Sequence, residues 1–85
     1  MLMAAAGLII VVRADDVKDV LRAVARWEGH LNQVWNEVLT PAQRNALRAD
    51  ERKWAIWKDS LSPEGQLEAL GKRVDYLRSF AHAHQ

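Results

Sequence analysis

An all-α domain of three helices is predicted by three features of this chain. Apolar residues recur at spacings of three and four over long stretches, and two Ser/Thr-Pro steps mark fresh helix starts. After Val12 there is none of the alternation that builds a strand. The expected architecture is an antiparallel helical hairpin plus a third helix. It is either an elongated three-helix arrangement or a hairpin with a shorter third helix, because short connections make consecutive helices antiparallel neighbours.

The first helix is read from Val17, Val20, Val24, Trp27, Leu31, Val34 and Val38, one continuous stripe that Leu21, Trp35 and Leu39 widen. Asp15 and Asp16 supply the expected cap and a favourable charge at its N-terminus. Gly29 costs about 1 kcal/mol relative to Ala inside a helix, a cost usually tied to close packing or a slight bend. The e and g positions of the stripe (Leu21, Glu28, Trp35; Ala23, His30, Glu37) are too apolar for a coiled-coil pairing code.

Pro41 ends this helix, since proline disfavours a helical Thr40. Thr40-Pro41-Ala42-Gln43 then reads as a capping box, with Thr40 as cap, Pro41 at the first helical position and Gln43 reaching back. The second helix is expected to run to about Ser60 with Leu47, Trp54, Trp57 and Leu61 on one side. Ser62-Pro63-Glu64 repeats the start signal for a third helix, with Leu67, Leu70, Val74, Leu77 and Phe80 or Ala81 inward. The three stripes are expected to converge on Trp54.

Composition narrows function. The 85 residues make one small domain, and a chain this short buries only about 60% of its unfolded surface, too little for a large enclosed active site. Lys plus Arg (12) nearly balance Asp plus Glu (11), so no strong field selects nucleic acid or anionic lipid. There is no cysteine, which excludes a disulfide framework, a thiolate nucleophile and a Cys-ligated zinc.

Residues 2–12, LMAAAGLIIVV, form an unbroken apolar run. It is too short for a bilayer, which needs about 20 residues in a helix. It fits the apolar region of a secretory signal, with Val12-Arg13-Ala14 as the small-residue cleavage region, although no Lys or Arg precedes it. Residues 1–14 are therefore expected to be a leader or an apolar segment packed on the domain, and residues 15–85 the helical domain. A leader implies a periplasmic or exported protein with no stable membrane anchor once mature; without one the chain is cytoplasmic.

Leu31-Asn32-Gln33-Val34-Trp35, the Leu39-Thr40-Pro41 turn, Gln43-Arg44, Ala46-Leu47-Arg48 and the run ERKWAIWKD from Glu51 to Asp59 stand in a telling order. Over residues 28–62 this order resembles the N-terminal domain family of the lysozyme inhibitor LprI. Against the family pattern Glu51 stands for Gln, Trp35 and Trp57 for Tyr, and Lys58 for Arg. The family's paired cysteines are missing, one of them where this chain has Ser62. The resemblance implies an exported, all-helical envelope domain. It does not by itself carry lysozyme inhibition, which is assigned to few members.

The candidate residues divide into a core set and a surface set. Trp27, Leu31, Asn32, Trp35, Leu47, Asp50, Trp54 and Trp57 are read as core or structural. Trp54 and Trp57 are the pair with a second reading, a partly exposed aromatic surface that stacks on sugar or anchors a partner. Asp50 sits at the edge of the apolar face, where a carboxylate needs a partner. Asn32, Lys53 and Arg73 are the candidates, and no second carboxylate is spaced to make it a catalytic acid.

Arg44, Arg48, Arg52 and Lys58 are the partner-binding candidates. The three arginines make an i, i+4, i+8 ladder, most simply a solvated stripe and more sharply a face for the acidic cleft of a glycosidase. His82-Ala83-His84 cannot aim two ligands to one side of a helix, His30 has no spaced catalytic partner, and no phosphate-cradling glycine loop occurs. No cofactor and no metal are expected, and an enzyme is the least expected class. The functional expectation is a non-catalytic envelope binding protein that inhibits a muramidase or other cell-wall hydrolase. Its rival is a structural helical module that forms a homo-oligomer or pairs with a larger partner.

Overall fold

The computed structural model describes residues 14–83, which form helices and, among the described residues, no strand. α1 spans Ala14–Gln33 and continues directly into one wide π-helical turn, Val34–Val38; α2 spans Pro41–Asp59 and α3 spans Pro63–Ala83. This is a small all-α three-helix arrangement, as the stripes and caps predict. The apolar run at residues 2–12 lies outside the described residues. No described helix is long and apolar enough to cross a membrane.

Local chemistry sets the helix starts. Thr40 is extended (φ −74°, ψ 162°), its Oγ1 accepts from the Gln43 amide at 3.1 Å, and the Gln43 side chain accepts from the Thr40 amide at 2.8 Å. Two orphan donors are satisfied at once, which is the capping box. At α3 the Ser62 hydroxyl accepts from the Gly65 amide at 3.2 Å, and Gln66 donates its side-chain amide to the Leu61 carbonyl at 3.0 Å. The cap expected for α1 is corrected. Ala14 is already helical, so the helix does not start at Asp15 or Asp16.

The two short connections reverse the chain twice, so α1 and α3 run the same way with α2 antiparallel to both. Gln43, at the start of α2, donates to the Ala81 carbonyl near the end of α3 at 3.2 Å, which fixes that antiparallel register. The largest contact is between α1 and α3, with α2 on α3 next. α3 is thus the central element, not the sequential α1–α2 pair.

The core gathers Val34, Leu39, Leu47, Val74, Leu77 and Ala81, with Trp27, Leu31, Trp35 and Phe80 packed against it. Leu70 and Leu77 are completely buried. The stripes therefore meet where the π turn, the start of α2 and the end of α3 come together, not at Trp54. Trp54 is half-buried, because the α3 residue that faces it is a charged one, Arg73.

The π turn explains a second correction. The Leu39 amide donates to the Val34 carbonyl at 3.1 Å, an i to i+5 bond, and a π turn holds one more residue than an α turn. The inward position after Val34 is therefore Leu39 (3% exposed) rather than Val38 (48% exposed). Gly29 also departs from expectation. It is exposed, and a Cβ built there meets nothing within 4 Å, so close packing is not its reason.

Candidate functional site

The rotation of α2 decides which of the candidate residues are surface. Gln43, Leu47, Glu51, Trp54 and Lys58 point inward, and at about 100° per residue they fall within roughly 40° of one another's mean direction around Leu47. Trp57 is about 80° from Leu47 and Ile56 about opposite to it on the same reckoning. Trp57 is 53% exposed and Ile56 74%. Trp57 is therefore not core. Asn32 is likewise exposed, set one residue round α1 from the inward Leu31. Trp27, Leu31 and Trp35 pack on the core as expected, and Leu47 is buried within it.

Between α2 and α3 lies a charged, aromatic assembly centred on Arg73. Its guanidinium donates through Nε to Glu51 at 2.8 Å and through Nη2 to Asp50 at 2.7 Å. The side chain is 10% exposed, Glu51 19% and Asp50 59%. The guanidinium also lies 5.3 Å from the Trp54 ring centroid and 4.8 Å from that of Tyr76, the distances of cation–π contacts. Burial alone would lower the Arg73 pKa, but the hydrogen bonds and charges of Asp50 and Glu51 outweigh it and the pKa is raised. Arg73 is the partner expected for Asp50; Asn32 and Lys53 are not. Sequence spacing offered no second carboxylate beside Asp50, yet Glu51 is that carboxylate and the better buried of the two.

Lys58 is the second buried cation. Its Nζ reaches Glu28 on α1 and Asp59, each at 2.9 Å, and lies 5.9 Å from the Trp54 ring. Burial lowers its pKa, the Asp59 and Glu28 hydrogen bonds and charges raise it, and the net direction is up. Lys58 is therefore a buried strap between α1 and α2 and not a partner-facing residue, because it occupies the inward register one turn after Trp54. A lysine there is tolerable only with such partners.

The arginine ladder also divides. Pro41 leaves the last carbonyls of the first helix without amide partners. Arg44 supplies them, its Nη1 donating to the carbonyls of Leu39 at 2.8 Å, Trp35 at 3.2 Å and Asn36 at 3.4 Å. Arg44 is a structural cap. Arg48 and Arg52 are exposed and line an open groove of about 440 Å³ together with Trp35, Glu51 and Ala55. Arg48 donates to Asn45 at 3.0 Å. Arg52 forms no ion pair among the described residues.

Elsewhere, the His30 ring meets Trp27 edge-on at 5.1 Å. His82 is exposed, and its sequence partner His84 lies outside the described residues. Among the described residues no group of three His, Asp or Glu could hold a metal. No family model, no curated protein and no solved structure matches this chain.

Proposed function

We propose that this chain is a non-catalytic cell-envelope binding protein whose α2 surface meets an acidic partner, a lysozyme-type cell-wall hydrolase. One observation carries the reading. Arg48 and Arg52 stand one turn apart beside the Trp35 groove, and among the described residues no carboxylate of another helix pairs with either. Two exposed guanidinium groups next to a partly buried indole suit a carboxylate-bearing surface. The active cleft of a glycosidase, with its paired carboxylates, is such a surface. The resemblance over residues 28–62 supports the exported location more than it supports the hydrolase as the partner.

The test is titration of the folded 85-residue chain into a muramidase reaction on peptidoglycan, with a peptidoglycan pull-down beside it. The expected result is saturable inhibition by the wild type and loss of that inhibition in Arg48→Glu/Arg52→Glu. A folded chain that neither inhibits nor binds would favour the second reading, a self-associating helical module. That reading draws on the exposure of Ile56 and Trp57, and sedimentation would then show a dimer.

A further inference from the structure

The opposite flank of α2 carries a different surface, independent of the arginine groove. Two open clefts lie side by side between α2 and α3, of about 200 Å³ and about 290 Å³, and both are lined by Trp57, Ala69 and Lys72. They form one groove with the half-exposed Trp57 indole as its common wall. Gly65 and Ala69, one turn apart on α3, keep the α3 side of the groove low. Trp54 and Tyr76 close one end.

The charged groups along this groove are each paired, Arg73 firmly and Lys72 at the surface. Arg73 is held by Glu51 and Asp50 through Nε and Nη2, two carboxylates that more than offset its charge. Its Nη1 makes no hydrogen bond among the described residues, and no side-chain nitrogen or oxygen is both buried and unpartnered. Nη1 therefore keeps its N–H groups for solvent or ligand, on a side chain that lines the groove. Lys72 lies 3.5 Å from Glu68, so along the rim a donor and an acceptor stand together with no net charge.

We infer that this α2–α3 groove binds a neutral pyranose unit of a glycan, stacked on Trp57. The aromatic face carries negative quadrupole density that attracts the weakly positive C–H face of a sugar ring. Hydroxyl groups both donate and accept, so they can satisfy Arg73 Nη1, Lys72 and Glu68 together. A purely apolar side chain in the same place would desolvate those groups without replacing their hydrogen bonds. An anionic ligand would meet the excess carboxylate charge of the Arg73 cluster, two acids on one guanidinium. A few fixed polar groups among aromatic walls are the general pattern of small-ligand sites.

The chain's four tryptophans give a direct readout, one indole N–H resonance each. The full chain is titrated with a soluble tetramer of β-1,4-linked N-acetylglucosamine and followed by ¹⁵N NMR. The expected result is a saturable shift of the Trp57 indole signal, with a smaller shift at Trp54 and none at Trp35. Trp57→Ala should abolish the remaining protein shifts. Lys72→Ala, at an exposed position that leaves the fold intact, should weaken binding by up to about tenfold, the scale of one lost hydrogen bond. No shift at Trp57, equal shifts at all four indoles, or unchanged affinity in both variants would overturn the assignment.

Discussion

The two buried cations define what single residues do in this molecule. Arg73 takes two carboxylates of unequal burial, so their removal should have unequal effects. Glu51→Gln weakens a mostly buried charged hydrogen bond and should cost about 1–3 kcal/mol. Asp50→Asn acts on a 59% exposed side chain, where solvent screening holds the loss below about 1 kcal/mol. Urea midpoints of the two variants check the order, and an equal or inverted ranking would mean that Asp50 is the principal partner. Lys58 gives a pH signature. Its folded pKa is raised above the ordinary 10.5, so its contribution is complete below that value and is lost as pH rises through the folded pKa. Wild type should therefore lose stability more steeply than Lys58→Met on moving into the alkaline range above 10.5, whereas parallel slopes would place Lys58 outside the fold's ion pairs. Neither role was fully legible in the sequence. Arg73 could be named as a partner for Asp50, but a lysine in a charged run reads as solvated until the helix rotation is known. Likewise Glu51 and Asp50 are adjacent letters that a turn of about 100° separates.

At the scale of elements, what is encoded locally was readable and what depends on a neighbouring helix was not. Thr40-Pro41 and Ser62-Pro63 start helices because their hydroxyls satisfy nearby amides, a matter of a few consecutive residues. The inward stripe of α3 follows its spacing from Leu70 through Val74 and Leu77 to Ala81, while Leu67 at its start is only partly buried. The π turn is different. Val38 and Leu39 are both apolar, and only packing against α2 and α3 selects Leu39 by widening the turn. The choice is measurable. Leu39→Ala should destabilise by about 2–4 kcal/mol, as for other buried leucines, while Val38→Ala should stay within about 0.5 kcal/mol. The reverse ranking in thermal or urea melts would restore an unbroken α-helical register. Trp57 was misplaced for a related reason, since a tryptophan three residues after another lies on the same broad face yet outside a narrow one.

Across the whole molecule, charge is used in pairs and function is left to what remains. The near balance of 12 basic and 11 acidic residues gives no long-range field, so the proposed recognition rests on local surfaces on the flanks of α2. On one flank Arg48 and Arg52 border the Trp35 groove; on the other Trp57 walls the α2–α3 groove. The basic candidates were visible as spacing, but the loss of Arg44 to capping and of Lys58 to an interior ion pair needed the tertiary structure. What is left of them carries the central claim, that Arg48 and Arg52 steer the chain onto an acidic hydrolase surface. Exposed charges act beyond contact over a Debye length of about 10 Å at 0.1 M salt and about 3 Å at 1 M. Charge reversal at the rim should therefore alter the association rate more than the dissociation rate. The measurement is the stopped-flow association rate of the 85-residue chain with a muramidase, wild type against Arg48→Glu/Arg52→Glu, at low and high salt. Association is expected to slow about tenfold or more in the variant at low salt, with the difference lost near 1 M. Equal rates at low salt, or no association of the folded wild type, would contradict the claim.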